Sequence, residues 1–325
     1  MRAVFMGTPE FAVPSLDALV EVCRARGGDV VGVVCQPDRP AGRGLQLTAP
    51  PVKVRAQALG LEVLQPTKVR DGSLARWVSG KQVDVALVVA YGRILPKDVL
   101  AAPRAGCLNV HASLLPRYRG AAPIAWAIVR GERETGVGLM RMEEGLDTGG
   151  VYAERRVAID PDETAAELSQ RLSLVAADLV RESLADVVAG KLPARPQDDA
   201  QATLAPILKK EDGVVDWSLP ARRIHDHVRG MNPWPGATTR VFAEDGTGRN
   251  LKLQRTRPFE EPVVAAVERA PGVVLVADKH HVLVACGTGG AETIEIVEGQ
   301  PEGKKAQPAR DLVSGRVLAV GRRLG

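Results

Sequence analysis

The segment Asn109-Val110-His111 places two polar side chains of catalytic type on an apolar background. In an extended strand, residues two apart point to the same face. An amide donor and an imidazole there can both address one oxygen atom. The segment falls at the carboxyl end of a predicted central strand, where open α/β sheets place their ligands. The pattern therefore predicts a reactive site at Asn109 and His111.

A glycine-rich acidic segment downstream, EEGLDTGG (residues 143–150), can bring the carboxylate of Asp147 to that histidine. Asn, His and Asp without a Ser or Cys nucleophile indicate that the substrate supplies the nucleophile. An amine that attacks an acyl or formyl carbon meets this need. The oxyanion of the tetrahedral intermediate can be stabilised by Asn and His donors, and a His–Asp pair can take the proton of the amine. The three side chains therefore predict formyl or acyl transfer to an amine.

Composition excludes several other classes of protein. The chain has 325 residues, enough for two domains, with 45% hydrophobic and 25% charged residues, as in ordinary globular proteins. No run approaches the roughly 18 apolar residues of a membrane span, and the N-terminus lacks the features of a signal peptide. Four cysteines without a CxxC pair argue against a zinc site or a disulfide framework. We expect a cytoplasmic protein with no bound metal and no membrane association.

The first half of the chain alternates short apolar strands with helical stretches, which is typical of a doubly wound, mostly parallel α/β sheet. The predicted strands are residues 3–6, 30–35, 83–90 and 107–110, and residues 11–26 form an amphipathic helix. The turn after the first strand lacks the GxGxxG pattern, so a dinucleotide site is not expected. Thr164 and Glu167 form a predicted capping box that begins a long helix. We expect this catalytic domain to span residues 1–190.

Residues 191–206 have the Pro, Asp and Gln content of a linker, and residues 207–325 contain short β-type runs between Gly and Pro residues. This pattern predicts a smaller C-terminal β-barrel domain. The spacing of His225 and His227 suggests an exposed helix surface. Trp217 and Trp234 are expected to pack in the core.

The segment LNVHASLLPRYRGAAPIAWAI (residues 108–128) resembles the active-site signature of the 10-formyltetrahydrofolate-dependent formyltransferases. EEGLDTGG resembles their acidic catalytic loop. The resemblance implies a Rossmann-like domain that uses 10-formyltetrahydrofolate as co-substrate, with no permanently bound cofactor. It also implies a catalytic trio and a folate-lining segment, carried over to matching positions as Asn109, His111 and Asp147, and as Ser113, Leu114, Leu115 and Pro116.

A second stretch, QPDRPAGRG (residues 36–44), resembles the tRNA-inserting loop of those family members that formylate methionyl initiator tRNA. Its Arg39 and Arg43 are expected to contact tRNA from a loop outside any regular element. Leu45-Gln46-Leu47 stands where the family loop typically carries further lysines.

The resemblance continues through residues 88–96, 210–217 and 231–237, and so covers almost the whole chain. It implies that the C-terminal domain is an OB-like barrel that binds tRNA, and that the protein is a monomer. The basic pairs best placed for phosphates are Lys209-Lys210 and Lys304-Lys305. The function implied is transfer of a formyl group to the α-amino group of methionine on initiator tRNA, for translation initiation.

Two alternatives remain open on the sequence alone. A sibling enzyme could use the same formyl donor on a small amine, or hydrolyse it, but a small substrate has no use for the arginine loop. A non-catalytic RNA-binding protein could share the architecture, but it has no reason to keep Asn109, His111 and Asp147 together.

Overall fold

The computed structural model describes residues 1–41, 46–243 and 246–325, and the chain forms two compact units. The first unit contains residues 1–123, 134–158 and 169–206. The second unit contains residues 124–133, 159–168 and 207–325. Within the described ranges, no helix is long and apolar enough to cross a membrane.

Strands of the first unit are short, and helices connect several of them. The strands are β1 (Ala3–Gly7), β2 (Val30–Val34), β3 (Arg39–Ala41), β4 (Gln46–Thr48), β5 (Val63–Leu64), β6 (Val85–Val89), β7 (Cys107–His111), β8 (Arg119–Gly120), β9 (Glu134–Arg141), β10 (Val151–Ala158) and β11 (Leu204–Ala205). The α-helices of the chain are α1 (Val13–Ala25), α2 (Pro51–Ala58), α3 (Ser73–Gly80), α4 (Lys97–Leu100), α5 (Pro123–Val129), α6 (Ala165–Val188), α7 (Ala221–Gly230) and α8 (Ala309–Ser314).

A seven-stranded sheet in the order β10-β9-β7-β6-β1-β2-β5 forms the centre of the first unit. The five strands from β7 to β5 run parallel to their neighbours, while β9 and β10 are antiparallel. All side chains of β1 and β6 are buried, as a sheet covered on both faces requires. The predicted mostly parallel α/β sheet is confirmed.

The predicted capping box at the start of α6 is present. The Glu167 backbone N–H donates to Thr164 Oγ1 at 3.3 Å, and the Glu167 carboxylate accepts from the Thr164 backbone N–H at 2.8 Å. That backbone hydrogen bond, with the Thr164 hydroxyl and the Arg255 guanidinium, lowers the pKa of Glu167 to about 2. The helix therefore begins where the sequence pattern predicts.

An antiparallel sheet in the order β14-β15-β16-β13-β12-β18 forms the second unit. Its strands are β12 (Ala237–Phe242), β13 (Gly248–Pro258), β14 (Val274–Ala277), β15 (Val282–Cys286), β16 (Glu292–Pro301), β17 (Gln307–Pro308) and β18 (Arg323–Leu324). A bridge between Val273 and Arg323 joins the two ends of the sheet and nearly closes a barrel. Leu251, Ile294 and Ile296 are buried inside it. The predicted small β-barrel is confirmed.

Residues 191–206, expected as a linker, are packed against the first unit. Arg195 bridges Val151, and β11 pairs in parallel with β8. The segment belongs to the first unit because these backbone hydrogen bonds tie it there. The Pro, Asp and Gln content that suggested a linker does not reveal these backbone pairings with Val151 and β8.

Two expectations for the second unit were wrong. His225, expected at the surface, is 3% exposed. Its Nδ1 lies 3.0 Å from the Thr256 carbonyl, and His227 Nε2 lies 2.7 Å from the Asp212 carbonyl. Trp217 is buried as expected, but Trp234 is 60% exposed. Helical spacing alone could not show that barrel strand β13 covers the His225 face of α7.

Candidate active site

Strand β7 presents the two polar residues that the sequence singled out. It lies inside the sheet, where Asn109 pairs with Val88 of β6 and with Met140 of β9. His111 is the last residue of the strand and is 5% exposed, while Asn109 is half-buried. Because they are two residues apart in a strand, their side chains share one face. The predicted strand-end position is present.

The backbone carbonyl of Tyr118 determines the tautomer of His111. The Nε2 atom lies 2.9 Å from that carbonyl oxygen, which can only accept. Nε2 therefore carries the hydrogen and donates it. In the neutral ring, Nδ1 is then the nitrogen with a free lone pair, able to take up a proton.

Asp147 reaches the other side of the imidazole. Its Oδ2 lies 3.6 Å from His111 Nδ1 and accepts a hydrogen bond of 2.9 Å from the backbone N–H of Gly120. Asp147 has φ of 51°, a left-handed conformation uncommon for a non-glycine residue. The carboxylate is thus placed to stabilise a proton on Nδ1. The structure thus brings Asp147 to His111 at the end of β7 and places Asn109 two residues earlier on the same strand.

The segment Ser113-Leu114-Leu115-Pro116 forms the turn that follows β7. Ser113 is fully buried, and its hydroxyl donates to the Arg117 carbonyl at 2.6 Å. Leu114, Leu115 and Pro116 are half-buried, and the bond between Leu115 and Pro116 is cis. The hydrogen of the Ser113 hydroxyl is therefore already used, while its oxygen keeps the capacity to accept.

We expected Arg39 to lie in a loop outside any regular element, but it lies in a short paired strand. Its strand β3 pairs antiparallel with β4, and the exposed Arg39 guanidinium donates to Gln36 Oε1 at 2.5 Å. Arg43 lies outside the described residues. The prolines and glycines of QPDRPAGRG indicated a loop because they disfavour strands, and the pairing with β4 overrides that tendency.

All four predicted phosphate-binding lysines are exposed and lie in the second unit. Lys209 precedes a 3-10 turn, Lys210–Gly213, and its backbone N–H donates to Asp212 Oδ2 at 2.7 Å. Lys304 and Lys305 lie in the turn between β16 and β17. These positions leave the ammonium groups accessible to a polyanion.

Sequence reasoning missed the residues that orient the trio. Tyr118 and Gly120 act through backbone atoms, which no side-chain pattern reveals. Arg119 and Gln197 are hydrogen-bonded to each other behind the Asp147 loop. The only available signal was that residues 117–120 belong to the recognised signature segment.

Among the residues described, no group of three or more His, Cys, Asp or Glu side chains could hold a metal ion. The four cysteines are buried, and burial raises the pKa of the Cys35 thiol to about 11.

Solved structures similar to this chain include two folate-bound proteins. HypX from Aquifex aeolicus in complex with tetrahydrofolic acid has a TM-score of 0.62 and 20% identity, covering 98% of this chain and 48% of that chain. This chain thus spans about half the length of HypX. An N-formyltransferase from Helicobacter canadensis, in complex with folinic acid and dTDP-3-aminofucose, has a TM-score of 0.64 and 15% identity, covering 92% of this chain and 98% of that chain. At these identities the likeness shows a shared fold.

Curated relatives are much more similar in sequence. A methionyl-tRNA formyltransferase from Sorangium cellulosum is 56% identical over 325 residues, covering the whole of both chains. A methionyl-tRNA formyltransferase from Myxococcus xanthus is 47% identical over 320 residues, covering 98% of this chain and 96% of the relative.

Two family models match almost the entire length. One, described as formyl transferase, matches residues 1–184, and another, described as formyl transferase, C-terminal domain, matches residues 207–317. The resemblance found at residues 108–128 and 143–150 is therefore confirmed by the whole chain. With both models matched and relatives 46–56% identical over their full length, the chain belongs to the formyl transferase family.

Proposed function

We propose that this chain transfers the formyl group of 10-formyltetrahydrofolate to the α-amino group of methionyl initiator tRNA. The observation that carries the proposal is the pairing of His111 with Asp147 at the end of β7, with Asn109 two residues earlier on the same strand, inside a formyl transferase domain. Relatives named methionyl-tRNA formyltransferase match over the full chain, including the barrel. The product, formylmethionyl-tRNA, serves translation initiation.

The three side chains have separate roles in this proposal. The amine nitrogen attacks the formyl carbon, and the amide of Asn109 donates to the oxyanion that forms. His111 Nδ1 takes the proton that the amine loses, and Asp147 stabilises the resulting imidazolium. Collapse of the intermediate breaks the bond from the formyl carbon to the folate nitrogen, which receives that proton. No enzyme nucleophile is needed.

The folate donor is proposed to bind along the turn after β7. Leu114, Leu115 and Pro116 supply half-buried apolar surface there, and Ser113 supplies backbone groups. We propose that 10-formyltetrahydrofolate acts as a co-substrate, with no resident cofactor or metal, since formyl transfer is neither redox nor phosphoryl chemistry. Formylation activity that survives treatment with a metal chelator supports the absence of a resident metal. A loss of activity that added zinc restores contradicts it.

The tRNA is proposed to contact both units. Arg39 and Arg43 would meet the acceptor end, while Lys209, Lys210, Lys304 and Lys305 would meet phosphates. We further propose residues 1–190 as the catalytic region and residues 207–325 as the tRNA-binding region. A translation enzyme of this kind is expected to act as a monomer in the cytoplasm.

One experiment separates this function from a small-molecule formyltransferase. The chain is incubated with 10-formyltetrahydrofolate and either methionyl initiator tRNA or a nucleotide-linked amino sugar. Mass spectrometry of the released amino acid should show formylmethionine. Formyl sugar without formylmethionine would assign the chain to the sibling activity, and free formate alone would indicate hydrolysis.

A further inference from the structure

Gln197 joins the loop that carries Asp147 to a buried arginine. Its Nε2 donates to the Asp147 carbonyl at 2.8 Å and to the Gly149 carbonyl at 2.7 Å. Its Oε1 accepts from Arg119 Nε at 3.1 Å and Nη2 at 2.8 Å. Every hydrogen-bonding atom of the amide group is thereby used within one network.

Arg119 stands between the two residues that orient the catalytic side chains. On one side the Tyr118 carbonyl accepts from His111, and on the other the Gly120 N–H donates to Asp147. Arg119 itself is 7% exposed. A displacement of the tripeptide Tyr118-Arg119-Gly120 would therefore disturb the hydrogen bonds that orient both His111 and Asp147.

The segment that contains Gln197 is fastened to the same tripeptide by its backbone. The Thr203 hydroxyl accepts from the Tyr118 N–H at 2.9 Å, and Leu204 and Ala205 of β11 pair with β8. The carboxylate of Asp199 accepts from Arg119 Nη2 at 2.6 Å. Gln197 thus lies on a segment that hydrogen bonds hold in place, and this gives its amide a defined position.

We propose that Gln197 is a positioning residue for Asp147. Its amide binds the carbonyl of the left-handed residue Asp147 itself and that of Gly149 two residues later, and so keeps the Asp147 carboxylate directed at His111. The inference rests on the proposed function, because it assumes that Asp147 takes part in formyl transfer. It assigns a role to a residue in the segment whose composition resembles a linker.

Two substitutions separate the parts of this role. Gln197→Leu removes both the hydrogen-bond donor and the acceptor of the amide, while the side chain keeps a similar size. Gln197→Glu keeps an acceptor for Arg119 but turns a second oxygen toward two carbonyls. Both should lower kcat for methionyl-tRNA formylation by about 10- to 100-fold, since small misplacements cost rates of that order. KM for tRNA and for the folate should stay within about threefold.

Gln201→Leu is the matched control. Gln201 lies on the same segment, is exposed, and its Nε2 donates to Asp198 Oδ2 at 2.7 Å. Its kcat should stay within about twofold of the parent. Amide hydrogen exchange of residues 143–150 should accelerate in Gln197→Leu and remain unchanged in Gln201→Leu.

A double-mutant cycle distinguishes positioning from general support of the fold. If Gln197 acts through Asp147, Gln197→Leu should lower kcat by less than about twofold in an Asp147→Asn background. An equal loss in both backgrounds, or kcat of both Gln197 variants within about threefold of the parent, overturns the inference. A parent chain that fails to formylate methionyl-tRNA contradicts the proposed function instead. The exchange measurement would still test the Gln197 contact in that case.

Discussion

At the residue scale, the chemistry depends on which nitrogen of His111 carries the hydrogen. The Tyr118 carbonyl accepts a hydrogen bond from Nε2, so Nδ1 is the nitrogen with the lone pair in the neutral ring and faces Asp147 Oδ2. The same carboxylate also accepts the Gly120 N–H, which fixes one oxygen near the ring. The Asp147 carboxylate is therefore positioned to stabilise a proton on Nδ1.

Asn109→Ala should lower kcat for formylation by about 10²- to 10³-fold, because one lost oxyanion donor costs about 3–4 kcal/mol. The tRNA dissociation constant should be unchanged, since the side chain addresses the reacting carbonyl. Steady-state kinetics and filter binding measure the two quantities. His111→Ala serves as the reference for a variant without the proton acceptor. Turnover of Asn109→Ala within a few-fold of the parent would remove it from the trio.

At the element scale, long apolar or capped elements were predictable, whereas very short strands and contacts between distant parts of the sequence were not. The strand run at residues 83–90 and the Thr164 cap were found where expected because burial and capping act locally. The β3–β4 hairpin was missed because its strands have three residues each. Residue types and a recognised signature point to Asn109, His111 and Asp147, whereas the contacts of Gln197 are made with residues about 50 positions distant in sequence.

Helix α7 should make the second unit sensitive to acid. Burial lowers the pKa of His225 and of His227 below the usual value of about 6.5. The unfolded chain then binds more protons than the folded chain as pH falls through that value, so stability is lost on acidification. The melting temperature should fall from pH 7 to pH 5.

His227→Gln tests that dependence, because glutamine can still donate to the Asp212 carbonyl but does not titrate. Its melting temperature should depend less steeply on pH than that of the parent. His280→Gln is the comparison variant, since His280 is exposed and lies outside α7. Parallel slopes for His227→Gln and the parent would show that His227 is not a source of the acid sensitivity.

At the scale of the whole molecule, a large polyanion suits a chain with net charge +4 and exposed lysines in its barrel unit. The reacting centre lies at the end of β7, whereas the lysines lie on another unit. Exposed Trp234 adds an aromatic surface to the barrel unit.

Lys209→Ala and Lys304→Ala should each weaken tRNA binding about equally for initiator and elongator forms, because phosphates carry no sequence information. Each should also reduce the slope of log K against log salt by about 1. Binding titrations across a range of salt concentrations measure both effects. Unchanged salt slopes would place these lysines away from the tRNA, and Lys279→Ala on the exposed β14–β15 turn gives a comparison.

Discrimination between tRNAs gives the sharpest test of the proposed function. Methionine is identical on initiator and elongator tRNA, so the enzyme must recognise the tRNA itself. Opening a paired and stacked end of the acceptor stem costs a few kcal/mol, which is enough to discriminate against a tRNA whose first base pair is formed. The measurement is kcat/KM for two methionylated tRNAs that differ only in whether the first base pair of the acceptor stem can form. We predict a preference of about 10-fold or more for the unpaired form, reduced in Arg43→Ala. Equal kcat/KM values for the two tRNAs would contradict the claim that this chain acts on the initiator.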